Sequence, residues 1–267
     1  MGHNSKEGKI KKYWEDPGTV SLVDKNLRHL EEAFVLSYLK KCSYFADFGC
    51  GGGSSTAIYA RRVRRCLALE QSKHLYNEAV GRFKRSNLLN IDAIHGSVTA
   101  LPKFERPFDV ILTQRVLINL PDWNAQKKAI TDIYMNLKPG GRYLMIENTF
   151  EGHKALNAAR NRMGLKDIPI HWHNLFFKHE LLVDFLKSLF ILEEHHTFDL
   201  YYLLTRVHAN LFLTFEGFGK NVKKDPLCDA YDEASAKLYE LMGRPLRIDK
   251  RYSFGPIQGF ALRKPVR

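Results

Sequence analysis

The segment Tyr44-Phe45-Ala46-Asp47-Phe48-Gly49-Cys50-Gly51-Gly52-Gly53-Ser54-Ser55 limits the fold of this chain more than any other. Tyr44 to Phe48 is a short apolar run, which reads as a buried strand. Gly49, Gly51 and Gly53 follow at alternate positions, and Ser54 or Ser55 stands where a helix through Ala57 to Arg61 needs its cap. A strand, a turn without side chains and a helix N-terminus together make a place for a nucleoside-bearing ligand. Glycines let the ligand approach the backbone, and the first N–H groups of the helix point outward. A nucleotide-binding Gly-x-x-x-x-Gly-Lys-Ser/Thr loop is excluded because the lysine is missing. The Gly-x-Gly-x-x-Gly dinucleotide fingerprint is met imperfectly, with Ser54 at its third small position.

Two later stretches narrow the reading. Arg65-Cys66-Leu67-Ala68-Leu69-Glu70 reads as a second strand ending in an acid, and a carboxylate there can accept both ribose hydroxyls of a nucleoside. Asn136-Leu137-Lys138-Pro139-Gly140-Gly141-Arg142-Tyr143-Leu144-Met145-Ile146 reads as a helix end, a turn and a further strand. Asp47-x-Gly49-x-Gly51-x-Gly53 resembles motif I of the class I S-adenosylmethionine-dependent methyltransferases, and the Lys138-Pro139-Gly140-Gly141 turn resembles the one before that family's fifth strand. The resemblance implies S-adenosylmethionine as cofactor. Asp47, Gly49, Gly51 and Gly53 would hold its methionine part, Glu70 its ribose, and Gly96-Ser97-Val98 its adenine. Gln71, Thr113, Arg28 and Tyr13 are further expected cofactor contacts.

The rest of the chain fits such a fold. Apolar residues recur at helical spacing from Asp24 to Lys41. Strands Tyr44–Phe48, Cys66–Glu70, Ile91–His95, Phe108–Thr113 and Tyr143–Glu147 then alternate with helices Ser55–Arg62, Ser72–Arg85 and Asp122–Leu137. Such alternation implies an α/β, doubly wound, mostly parallel sheet with ligands at the carboxyl ends of its strands. Glu151 to Gly164, His179 to Leu189 and Ala230 to Met242 read as helices, and Tyr201 to Val207 as extended or buried. Strands Phe190–Thr197 and Gln258–Arg263 would complete seven strands with the antiparallel pair that ends the family's sheet. The expected organisation is a flexible tail over residues 1–12 and one domain over 13–267. Cap segments at about 151–178 and 198–252 would close over the acceptor.

Methyl transfer to a hydroxyl needs alignment of donor and acceptor and a base that takes the proton. His171 and His173, flanking Trp172 and followed by Asn174, are the first candidates for base and acceptor contacts. Glu147, at the end of the fifth strand, is the next base. Arg160 and Arg206 could clamp an acidic acceptor bidentately. His195 and His196 lie in a strand and read as structural. No metal is expected: the acidic pair that holds magnesium in catechol-type enzymes is missing, as are the Asn/Asp-Pro-Pro-Tyr tetrad and the Pro-Cys nucleophile of nucleic-acid methyltransferases.

With a net charge of +12, the chain favours anionic partners without choosing among them. Cys42, Cys50, Cys66 and Cys228 form no Cys-x-x-Cys pair, which suits reduced thiols and a cytoplasmic setting. No run is apolar and long enough to span a bilayer. Beyond motif I, the stretches around Tyr13-Trp14, Leu156 to Arg160, Ile168 to Asn174 and Tyr201 to Arg206 resemble bacterial small-molecule methyltransferases of surface-polysaccharide and nucleotide-sugar pathways. That resemblance implies an O-methyltransferase acting on a sugar, nucleotide sugar or similar polar, anionic metabolite. An RNA or protein methyltransferase, a non-catalytic binder of S-adenosylmethionine and a homodimer remain open alternatives.

Overall fold

The computed structural model describes residues 5–19, 24–39, 43–211, 232–233, 236 and 254–266. Helices α1 (Lys6–Glu15) and α2 (Lys25–Tyr38) precede an alternating core. It runs β1 (Tyr44–Phe48), α3 (Ser54–Ala60), β2 (Arg65–Glu70), α4 (Lys73–Arg85), β3 (Ile91–His95), β4 (Phe108–Gln114), α5 (Trp123–Asn136) and β5 (Leu137–Asn148). Then come α6 (Phe150–Arg162), α7 (His179–Leu189), β6 (Ile191–Thr197), α8 (Asp199–Tyr202), a π-helical turn over Leu203–His208 and β7 (Ile257–Arg263). The sheet has seven strands in the order β3-β2-β1-β4-β5-β7-β6. β1 to β5 are parallel, and β7 runs antiparallel to both β5 and β6, as the sequence pattern implies. The chain winds outward from β1 to β3 and restarts at β4 on the other side of β1. Neighbouring connections therefore diverge at the carboxyl ends of β1 and β4, and an open α/β sheet has its crevice there.

Strand side chains alternate between two apolar layers, because successive residues of a strand face opposite ways. Phe45, Val110, Leu112, Leu144 and Ile146 pack with Leu27 and Phe34 of α2 and Leu156 of α6. Ala46, Phe48, Ile111, Tyr143 and Met145 pack with Ile130 and Ile133 of α5 and Leu182 and Leu186 of α7. This parity decides below which strand-end residues reach the site.

Three local expectations are corrected. Lys6–Glu15 is a helix, not part of a flexible tail. Ser5 caps it by accepting the Gly8 N–H, and Ile10 is buried. At its far end the Glu15 carboxylate accepts the N–H groups of Lys73 and His74 at the start of α4, at 2.9 and 3.2 Å. That N-terminus carries unpaired donors and a partial positive charge. Second, α3 is capped by Gly53 itself, at φ +74°, with Ser54 as its first helical residue. A Cβ at Gly53 would come within 2.6 Å of the Phe83 ring, so its role is to let α3 and α4 pack. Third, Tyr201 to Val207 is helical rather than extended, with Tyr201, Tyr202, Thr205 and Val207 buried. The helix expected over Ala230–Met242, and most of the cap expected over 198–252, lie outside the described residues.

Candidate active site

At the carboxyl ends of β1, β2, β4 and β5 lies a cavity of about 430 Å³, a size typical of small-molecule sites. Its floor is the Gly49–Gly52 turn. The Gly49 and Cys50 N–H groups donate to Leu69 O at 2.7 and 3.0 Å, which fastens the turn to β2. Gly49 sits at φ +82°, and a Cβ there would strike Val116 at 2.3 Å. Gly51, at φ +56°, faces open space: a Cβ there would meet nothing within 4 Å.

Two buried carboxylates flank this turn. Asp47 shares the parity of Phe45 and reaches the cavity wall, where it accepts the Thr56 hydroxyl at 2.6 Å. Burial pushes its carboxyl up to about 7, and the charge of Glu70 adds to that. Glu70 accepts the Gly51 N–H through one oxygen and the Ser72 N–H through the other, both at 2.8 Å. Burial raises its pKa as well, against those hydrogen bonds. Arg28, Gln71 and Tyr13 also line the cavity. Ser97 acts at one remove, donating to Gln71 Oε1 at 2.5 Å, while Gly96, Val98 and Thr99 form the wall beside it.

Parity overturns two expectations. Thr113 is fully buried and shares a hydroxyl hydrogen bond with Tyr143 at 2.7 Å, so it is not a cofactor contact. Its neighbour Gln114 takes the wall position instead, and donates to Glu31 at 2.5 Å. Glu147 likewise turns away from the cavity. It is fully buried and accepts the N–H groups of Val116, Leu117 and Ile118. Burial raises it to about 7, but it holds a backbone turn and is not placed to act as base. Arg115, at φ +57°, lines the cavity with its guanidinium paired to the buried Glu31.

The loop after α6 delivers His171, His173 and Asn174 to the wall. His173 is only 5% exposed. Tyr13 stacks on it at 4.3 Å between ring centroids, His171 stacks at 5.6 Å, and Trp14 approaches edge-on at 5.7 Å. Burial, followed by His171, lowers its pKa, so the ring is neutral at pH 7. Trp172 does not form the acceptor wall. It is 56% exposed and meets Tyr13 edge-on from outside. Arg160 and Arg206 are internal struts instead of acceptor clamps. Arg160 donates to the carbonyls of Lys166 and Arg206 and to Asn210, and Arg206 pairs with Asp24 and Asp232. Above the turn, Glu7, Ile10, Lys11 and Trp14 of α1 cover the cavity. Trp14 Nε1 reaches Asn119 at 3.3 Å and Lys6 Nζ reaches Pro121 O at 3.3 Å. Asn148 also lines the cavity, at the end of a parallel strand where ligands of such sheets sit.

Residues 45–141 match the family described as "Methyltransferase domain". The matched stretch includes the glycine turn and Glu70. The chain is similar to an uncharacterized methyltransferase of Schizosaccharomyces pombe, at 28% identity over 48% of this chain and 44% of that protein. It is also similar to the ubiquinone/menaquinone biosynthesis C-methyltransferase UbiE of Pseudoalteromonas translucida, at 39% identity over 52% of this chain and 55% of that one. The chain spans about half the length of the curated relatives it matches. Among solved structures, the N-methyltransferase NodS of Bradyrhizobium japonicum, in complex with S-adenosyl-L-homocysteine, shares the fold. It has a TM-score of 0.57 at 14% identity, over 98% of this chain and 100% of that one.

The match to the methyltransferase family implies S-adenosylmethionine as cofactor, and the cavity fits it. Asp47 and Glu70, two carboxyls whose pKa values burial raises, suit a ligand bringing positive charge and hydroxyl donors. The open space over Gly51 admits it against the backbone. Glu70→Ala is expected to weaken S-adenosylmethionine by about ten- to a hundredfold, the worth of a hydrogen bond to a charged group. Calorimetry reads this directly, and an unchanged affinity would remove Glu70 from the cofactor site.

Proposed function

We propose that this chain transfers the methyl group of S-adenosylmethionine to a hydroxyl of a polar small molecule seated beneath α1, a sugar or sugar-like acceptor. The observation that carries the reading is His173. It is a buried, neutral imidazole fixed between Tyr13 and His171, in the wall of the cavity that holds the glycine turn. When bound, the cofactor supplies an electrophilic methyl group on a sulfonium. The protein's part is to orient, to exclude water and to move one proton. Asp47, Glu70 and the Gly51 turn orient the donor half. Helix α1 covers the cavity and keeps bulk water from the reacting atoms. His173 would take the proton of the acceptor hydroxyl as its oxygen bonds the methyl carbon and the methyl–sulfur bond breaks, its electron pair leaving with S-adenosylhomocysteine. Among the described residues no cluster of His, Cys, Asp and Glu has the makings of a metal site.

The anionic acceptor expected from Arg160 and Arg206 loses its support, because both guanidinium groups are committed elsewhere. Methyl-labelled cofactor, offered with a panel of free sugars, nucleotide sugars, RNA and peptides, tests the reading. Label is expected in a base-stable methyl ether of a sugar. Label found only in an N-methyl or C-methyl product, or in RNA or peptide, would replace the proposal.

A further inference from the structure

Two residues that line the cavity each hold a buried side-chain atom that receives no hydrogen bond from any described residue: Nδ1 of His173 and Oδ1 of Asn148. Both residues are more than nine-tenths buried, at 5% and 8% exposure. Leaving a buried polar group unsatisfied is costly, and native proteins leave few such groups. Two in one wall indicate partners that arrive with a ligand.

Neither residue is free to seek a partner elsewhere. Asn148 ends β5 and pairs with Ile257 of β7. Its carbonyl accepts the Phe177 N–H at 2.9 Å. The segment leading to Phe177 begins just after His173, and Leu175 N–H donates to Ile118 O at 2.6 Å on the way. Gln126 adds a hydrogen bond to Leu175 O at 3.0 Å. Strand end and histidine loop are thereby tied into one rigid corner. The side chains around it are polar and neutral. Asn119 donates to Arg115 O at 2.8 Å, and His153 is kept neutral by burial and bonded to Asn157. Arg115, tied to β5 through Ile146 O, is already neutralised by Glu31.

We infer that Asn148 is a specificity-determining residue, whose Oδ1 accepts a hydrogen bond from a second hydroxyl of the acceptor while the reacting hydroxyl faces His173. The acceptor is then a polyol at its reacting end, and not a lone alcohol. This inference rests on the methyl-transfer reading of the cavity and adds to it a second recognised group. A site built to accept a hydrogen bond discriminates strongly against analogues that lack the donor, because its own polar atom is then left unpaired.

The test uses the full chain loaded with S-adenosylhomocysteine. The probes are a panel of methyl glycosides and their singly deoxygenated analogues, with binding followed by saturation-transfer NMR. At least one glycoside is expected to bind. Asn148→Leu is expected to weaken it about tenfold or more, while S-adenosylhomocysteine affinity by calorimetry stays within about twofold. One deoxygenated analogue should bind the wild-type protein as weakly as the glycoside binds the variant, and lose nothing further in the variant. Asn148→Ser is read in its place if the leucine variant no longer takes up S-adenosylhomocysteine. Failure of every glycoside to bind, or equal binding by wild type and variant, overturns the inference. Failure of the wild-type protein to bind S-adenosylhomocysteine overturns the methyl-transfer reading instead.

Discussion

Replacing His173 by Gln is expected to lower kcat by about 10²–10⁴-fold, the usual contribution of a positioned base, with S-adenosylhomocysteine affinity intact. Glutamine keeps much of the shape of the imidazole but cannot take a proton. The effect should appear in kcat because the proton moves only on the way to the transition state. His171→Gln should cost far less, since His171 stacks on His173 and lowers its pKa without being buried itself. The pH profile supplies an independent check. The base works when deprotonated, so with saturating cofactor kcat/KM for the acceptor should rise with pH through the pKa of His173 and level off by neutral pH. Burial and His171 lower that pKa, so the midpoint lies below the ordinary imidazole value of about 6.5. The rise should vanish in His173→Gln. If neither histidine costs tenfold, the loop only shapes the pocket. Glu147 does not inherit the role, because its carboxylate is spent on three backbone N–H groups.

Asp47→Asn should move binding and stability in opposite directions. The folded protein raises this carboxyl from 3.8 to about 7, chiefly by burial. A raised carboxyl favours the fold in its protonated form, so that contribution is complete below about 3.8 and is lost as pH rises through about 7. Above that, the buried charge opposes folding by roughly 2–4 kcal/mol, because each tenfold gain in proton affinity on folding is worth about 1.36 kcal/mol. Asparagine carries no charge and still accepts from Thr56. In urea titrations without cofactor, the variant should gain that amount at pH 8 and nothing at pH 4. Its affinity for S-adenosylmethionine should fall by about tenfold or more, because the anion that faces the cationic cofactor is gone. Equal stability at both pH values would show that Asp47 is not a strained anion.

The sheet was legible because its signals are local. An apolar run before a glycine turn, and alternation in step with helical spacing, are written within a dozen residues each. The glycine turn and Glu70, both at the cavity, were legible for the same reason. Thr113 and Glu147 went wrong by a single step of strand parity. Val110 and Leu112 against Ile111, and Leu144 and Ile146 against Tyr143, already separate the two faces. That alternation turns Thr113 and Glu147 under the sheet and leaves Gln114 and Asn148 on the cavity side. Arg160 and Arg206 were not legible at all. Their partners lie far along the chain, Asp24 for Arg206 and Asn210 for Arg160, and no local pattern announces such a contact. Helix α1 escaped because its apolar stripe is short. Ile10 is its buried residue, and its hold on the body comes from Glu15, Trp14 and Lys6 acting on groups more than fifty positions away.

That same economy of contact separates two properties usually measured together. Residues 6–15 contribute little to the two main apolar layers of the sheet, yet they form the ceiling of the cavity and one face of the aromatic stack on His173. A chain shortened past Glu15 would keep its sheet, its glycine turn and nearly all of its buried apolar area, while its reacting corner stood open to water. A melting curve would pass such a protein as intact. Glu7, near the start of that helix, already lines the cavity. Where the chain is trimmed or tagged is therefore a choice about catalysis, made at a place where folding assays are blind.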